Sequence, residues 1–329
     1  MRHYLLRIGA IMALTGLMGC LTAFPAVEGK FERTLTIAGP VTLEVTTGSG
    51  SIDVMAGNPG LVRIRGVIVA RDDRHATAEE KVKYLESRPP IEQSGNVIRI
   101  GRIEEDDYRN NVSIRYEIET PPETALTSRA GSGGQRISGL QGRLELATGS
   151  GAINLDNIRG DVSAQAGSGG IEAHTVTGRL ELRTGSGSIK ALAIAGSVSA
   201  STGSGGITLN LSAAEQGSAM DVEAHTGSGS IDISGISGSL RASTGSGSIK
   251  AGGNPAGNWS IHTSSGSVAL DVPPDAAFDL NARTASGRIN FEKALDFDGA
   301  LSRKEARGKF RGGGNLVEVR TGSGSIELR

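Results

Sequence analysis

The chain has one cysteine in 329 residues, Cys20, so no internal disulfide can form. Aromatic residues make up only 3% of it, and none occurs from 130 to 258, which denies that stretch the stacking platform sugar-binding sites usually present. Charge of one sign is also missing. The formal net charge is -1 with both signs interspersed, so no basic stripe offers itself to nucleic acid or to an anionic membrane surface. Proline is sparse at 10 residues, and without a Gly-X-Y period the 49 glycines do not describe collagen. What is present is a large glycine content among alternating Val, Leu and Ile, a pattern that argues for strands and against disorder.

No apolar run is long enough to span a bilayer stably. The longest, Ile8 to Met18, follows Arg2 and Arg7 and ends at Gly19-Cys20, the layout of an export signal. Leu17-Met18-Gly19-Cys20 resembles the lipobox of bacterial lipoproteins, although Met18 is not among the commonest residues at its place. The resemblance implies a signal peptide over 1–19, lipid attachment at Cys20 and a lipid-anchored linker over 20–34, with the membrane as partner. The alternative is an ordinary secretory peptide cut near Ala23 or Ala26. Leu21 stands where an inner-membrane retention signal would have Asp, which leans towards the outer membrane, facing the periplasm or the cell surface.

A short motif recurs through the rest of the chain. Thr-Gly-Ser-Gly or a close variant occurs at 47, 130, 148, 166, 184, 202, 226, 244, 263, 284 and 321; the five copies from 130 to 202 are 18 residues apart, and later steps are 24, 18, 19, 21 and 37. A near-constant period of this length is the mark of a solenoid. One period from Gly178, GRLELRTGSGSIKALAIA, holds two alternating pieces: Leu180 and Leu182 before the corner, Ile189 and Ala191 after it. The expected fold is all-β: a parallel β-solenoid of two-strand coils of about 18 residues, each strand pairing with its counterpart one coil on. The corner glycines are expected to supply positive φ and to admit the next coil at about 4.8 Å. Stacked Thr and Ser hydroxyls are expected to bond along the ladder.

Residues 35–70 read as the first coil and 126–329 as the main array. Between them, 71–125 reads as a helix-and-strand insertion covering one end. Thr77-Ala78-Glu79-Glu80 is a capping box opening a helix through Glu86, Pro89-Pro90 stops it, and 96–100 and 111–118 read as strands. The last TGSGSI copy, at 321, is expected to form the opposite end, as a protected edge or a docking surface. An early TGSG turn, a charged insertion, a strand finishing in Ile118-Glu119-Thr120-Pro121-Pro122-Glu123 and serial GSG-x-I units together resemble the bacterial DUF4097 family, also called adhesin-like. The resemblance covers about 35–329. It implies an envelope β-solenoid and supplies no catalytic residue.

Candidate chemistry is thin. The corners lack the third glycine of a dinucleotide fingerprint, Asp53, Lys190 or Lys250 standing in its place, and they lack the aspartate of calcium-binding nonapeptides. His225 and His262 share a slot two coils apart, about 9.6 Å, too far for one metal. Glu145 and Glu181 share another, with Gln165 read as the residue between them. Asp232 alternates with Lys190 and Lys250 in a column of mixed sign. Trp259 lies in an Asn-Pro-Gly insertion as a core seal or a binding residue. The expectation is a protein without catalytic, metal-binding or cofactor-binding residues: a cell-envelope scaffold or adhesin-like surface with an envelope protein or glycan as partner. The alternatives are a polysaccharide-active or polysaccharide-binding β-helix, marked by a cleft that gathers acidic and basic groups, and a periplasmic accessory of a stress or signalling system.

Overall fold

The computed structural model describes residues 26–212, 220–291 and 297–329; Cys20 and the export signal lie outside them. Among the described residues twenty-eight strands form two facing ladders joined by the corners. In the coil built from Leu180–Thr184 and Ile189–Ala195, Leu180, Leu182, Thr184, Ile189, Ala191 and Ile194 point inward and are buried. Their neighbours in sequence face solvent, because side chains alternate along a strand. Leu180 pairs in parallel with Val162 on one side and Val198 on the other. Ile189 is flanked in the same way by Ile171 and Ile207. This is the expected parallel β-solenoid, and its apolar columns fuse into one core.

The two corners of each coil work differently, and the glycine assignment needs correcting. Positive φ belongs to the corner opposite TGSG, at Gly160 (142°), Gly178 (132°) and Gly196 (151°), three residues after the left-handed Asn157, Thr175 and Ala193. Among the TGSG glycines of the described residues only Gly324, in the last copy, has a positive φ (152°); at the stacked corners of the array it is closeness that demands glycine. A Cβ built on Gly187 would lie 2.1 Å from the carbonyl oxygen of Gly169, and one on Gly185 would lie 2.4 Å from that of Gly167. The corner threonines do not bond to one another either. Thr202 Oγ1 donates to the carbonyl of Gly187 one coil below at 2.8 Å and accepts from the amide of Gly205 in its own corner at 3.2 Å. The same pair of bonds recurs at Thr148, Thr184 and Thr226. Each threonine therefore staples two coils through the backbone. Thr202→Val keeps the shape but leaves a part-buried N–H and C=O without this partner, so it should cost about 1 kcal/mol in a urea titration. Ser201→Ala, on the outer face, should change little.

Neither end follows sequence order. The first TGSG coil, Thr42–Thr47 and Ile52–Ala56, is an inner one, covered by Val97–Ile100 on one ladder and Val112–Thr120 on the other. Antiparallel strands Leu61–Ala70 and Val27–Thr36 extend the second ladder outward. Residues 27–34 are thus sheet rather than linker, and 61–70 belongs to the end sheet rather than to the first coil. The reason is apolar complementarity: Phe31 lies over Gly66, where a Cβ would come within 2.1 Å of its ring, and meets Tyr116 edge-on with centroids 6.3 Å apart. Helix Ala78–Ser87 packs on these strands, opened by the Thr77/Glu80 capping box. Its Lys81 is fully buried, a placement the periodicity does not show, and donates to Asp73 Oδ2 (2.6 Å) and to the carbonyls of Arg71 (3.0 Å) and Asn110 (2.9 Å). The hydrogen bond from Lys81 holds the Asp73 carboxyl well below the usual carboxylate range.

At the other end the last TGSGSI copy is not terminal in space. Asn315–Ser323 pairs in parallel with Trp259–Ser265 on one side and Phe278–Ser286 on the other. Ile326–Leu328 lies likewise between Val268–Asp271 and Ile289–Phe291. The outermost coil is therefore 278–291, extended by the antiparallel strands Glu305–Phe310 and Phe297–Leu301. Phe278, Phe291, Phe297 and Phe310 cluster there, with adjacent centroids 4.7 to 5.7 Å apart. This apolar cluster seats the outer coil at the end and leaves the inner slot to 315–329.

Candidate functional site

Parallel stacking converts each strand position into a column, so a site on the array must run along the stack. One depression does so. It is a trough of about 450 Å³ on the ladder that precedes the TGSG corners, crossing five coils at 179–181, 197–199, 221–223, 239–241 and 258–260. Four coil steps of about 4.8 Å make it about 19 Å long. Its charged residues are Arg179, Glu181, Asp221, Glu223 and Arg241, separated by serines, and Leu180, Val198, Val222 and Leu240 form the floor.

Serines make the depression, because Ser197, Ser199 and Ser239 are short where their neighbours along the columns are long. The polar groups are tied to one another. Ser239 Oγ donates to Asp221 Oδ1, and the Asp221 amide donates to Ser197 Oγ at 3.3 Å. Glu181 pairs with Arg183 beside the trough. Asp221, Glu223, Arg179 and Arg241 are exposed. Among the described residues no three His, Cys, Asp or Glu side chains come together as a metal site.

The slots singled out in the sequence fall as follows. Glu145 and Glu181 are two coils apart in one column, but the residue between them is Ser163; Gln165 pairs instead with Ala147 and Arg183. The same column continues through Ser199 to Glu223 and Arg241. It was hidden in the sequence because the 24-residue step before 226 shifts the spacing. His225 and His262 are separated by Ser243, which bonds His225 Nδ1 at 2.7 Å. Lys190, Thr208, Asp232 and Lys250 form the mixed column on the opposite ladder, and Lys250 meets Asp271 at 3.4 Å. Trp259 is a core seal, buried with its Nε1 donating to the Gly238 carbonyl at 3.0 Å. On the opposite ladder the partner of Ile236 one coil on is Gly253. On the cap, a recess of about 190 Å³ lies beside Tyr84, Arg88 and Pro89-Pro90. Tyr84 is engaged by Tyr108 at 4.4 Å and by the Arg88 guanidinium at 5.9 Å, so its ring is already taken.

No curated protein matches the sequence. The solved structures that match include three at low identity. A candidate adhesin from Bacteroides fragilis is 14% identical, with 91% of this chain and 97% of that one covered and a TM-score of 0.38. A candidate lipid-binding protein from Parabacteroides distasonis is 13% identical over 92% and 97%, with a TM-score of 0.34. A candidate cell adhesion protein from Clostridium sporogenes is 11% identical over 91% and 98%, with a TM-score of 0.19. The family model described as Toastrack DUF4097 matches residues 160–329, more than half of the chain, and the protein belongs to that family.

Proposed function

We propose that the protein is a non-catalytic scaffold of the cell envelope whose long polar faces bind a partner over several coils at once. One observation carries the reading: the five-coil trough is continuous and internally hydrogen-bonded, with an apolar floor and a rim on which Arg179, Asp221, Glu223 and Arg241 are exposed and alternate with serine. Such a surface suits many weak contacts to an extended partner. It lacks the buried, preorganised group that stabilises a transition state. The trough also gathers acidic and basic groups into one cleft, which favours polysaccharide binding as a second reading, with hydroxyls bonded to Asp221, Glu223, Arg241 and the serines rather than stacked on rings.

Full-length protein should bind polyuronate or peptidoglycan fragments, or a protein of the envelope, with affinity that rises with fragment length, and should hydrolyse none of them. Asp221→Ala with Arg241→Ala should weaken binding about tenfold without changing the melting temperature. Reproducible turnover abolished by one point mutation would replace this reading with an enzyme.

The address rests on Cys20. Cys20→Ser should abolish incorporation of a fatty-acid probe in growing cells, because the thiol is the chain's single attachment point. Equal labelling of the variant and the parent would refute the anchor.

A further inference from the structure

The slot filled by 315–329 is built entirely by earlier residues. Its walls are the coil 259–271 and the coil 278–291, and among the described residues these coils pair with the inserted segment and not with each other. Everything the segment recognises is therefore a property of the slot. Val317 and Val319 continue the inward column of Trp259 and Ile261, Thr321 Oγ1 donates to the Gly266 carbonyl at 2.8 Å, and Ile326 and Leu328 continue the column of Val268 and Leu270. A second copy of the same segment would make the same contacts.

The connection into the slot is strained. From Phe310, on one side of Phe278–Ser286, the chain must pass to Asn315 on the other side. It turns through three consecutive left-handed residues, Arg311 (47°), Gly312 (84°) and Gly313 (90°). The turn is closed by the Gly313 amide on the Phe310 carbonyl at 3.0 Å and the Gly314 amide on Asp279 Oδ1 at 3.2 Å. An arginine in the left-handed region is disfavoured, and an extended hinge relieves it. Tight hinges of this kind promote exchange of identical elements between chains.

We propose that 315–329 is an exchangeable strand donor that occupies the slot of a second copy and joins two chains through an interface of native coil-to-coil contacts. Gly312 isolates the hinge from the stack, because a Cβ there meets no atom within 4 Å while its φ of 84° disfavours any side chain. Gly312→Val should raise the dimer fraction of full-length protein at least fivefold, and Arg311→Gly should lower it, both read by native mass spectrometry. In the Gly312→Val background, two differently tagged chains would be co-expressed, one carrying His262→Cys and the other Arg320→Cys. His262 lies on a wall of the slot and is the direct partner of Arg320 in the strand that fills it. A mixed disulfide, identified as a 262–320 peptide pair, can arise only between copies and is the expected product. A dimer fraction unchanged by Gly312→Val, or dimers that yield no 262–320 product, would overturn the proposal. A single chain carrying both cysteines shows that the pair can bridge.

Discussion

Gly187→Val should be among the most damaging single substitutions in the array, lowering stability by about 3 kcal/mol or more, while Ser188→Ala next to it should stay within about 0.5 kcal/mol. The difference follows from how the coils touch. The corner at 184–189 lies directly on the corner at 166–171, and a Cβ on Gly187 would sit 2.1 Å from one backbone atom, 2.5 Å from a second and 2.8 Å from a third, belonging to Gly169 and Gly170. Backbone cannot rotate away as a side-chain tip can, so the two coils must part. That loosens the staple from Thr202 to the Gly187 carbonyl and the ladder bonds on both sides. Thermal and urea melts of the two variants beside the parent would decide it. Equal stability would mean that the corners do not stack as described.

Removing 315–329 should do more than trim an end. In a solenoid stacked in sequence order, loss of the last repeat exposes one edge and leaves the other coils paired, since each coil contacts only its neighbours. Here the segment is the layer between two others, and without it 278–310 keeps its own antiparallel strands but loses its parallel partner in the array. The shortened protein should yield, under limited proteolysis, a resistant core ending near Val272, with 273–314 digested. The coils up to Val268–Asp271 keep their hydrogen-bonded partners on the inner side. Survival of an intact 273–314 region would argue against the insertion.

The coil itself was legible because it is local: the alternation of Leu180 and Leu182, the corner at 184 and the return at Ile189 all fall within one period, and periodicity reports which face is buried. The capping box of the insertion was legible for the same reason. Stacking order was not, since every TGSGSI copy carries the same pairing preferences and the repeat alone cannot say which coil lies against which. The Phe278/Phe291/Phe297/Phe310 cluster that keeps 278–310 outermost joins residues spread over more than one period. The function of the glycines was half legible. Close approach follows from the repeat, but the left-handed conformation turned out to belong to the other corner, where Thr175 and Ala193 adopt it beside Gly178 and Gly196. The trough was missed because it is a column property: Glu181, Ser199, Glu223 and Arg241 are unremarkable one by one, and a variable step between repeats separates them in sequence.

The central claim is that near-identical coils stack in parallel register with 315–329 threaded between two earlier ones, and paired cysteines measure it directly. His262, Arg320 and Arg283 occupy one outward column in that order, so neighbours lie about 4.8 Å apart and the outer two about 9.6 Å. Under mild oxidation, the double variant His262→Cys with Arg320→Cys should form a disulfide, and His262→Cys with Arg283→Cys should not. Bridging of 262 to 283 and not to 320 would show coils stacked in sequence order, and would contradict the threaded architecture.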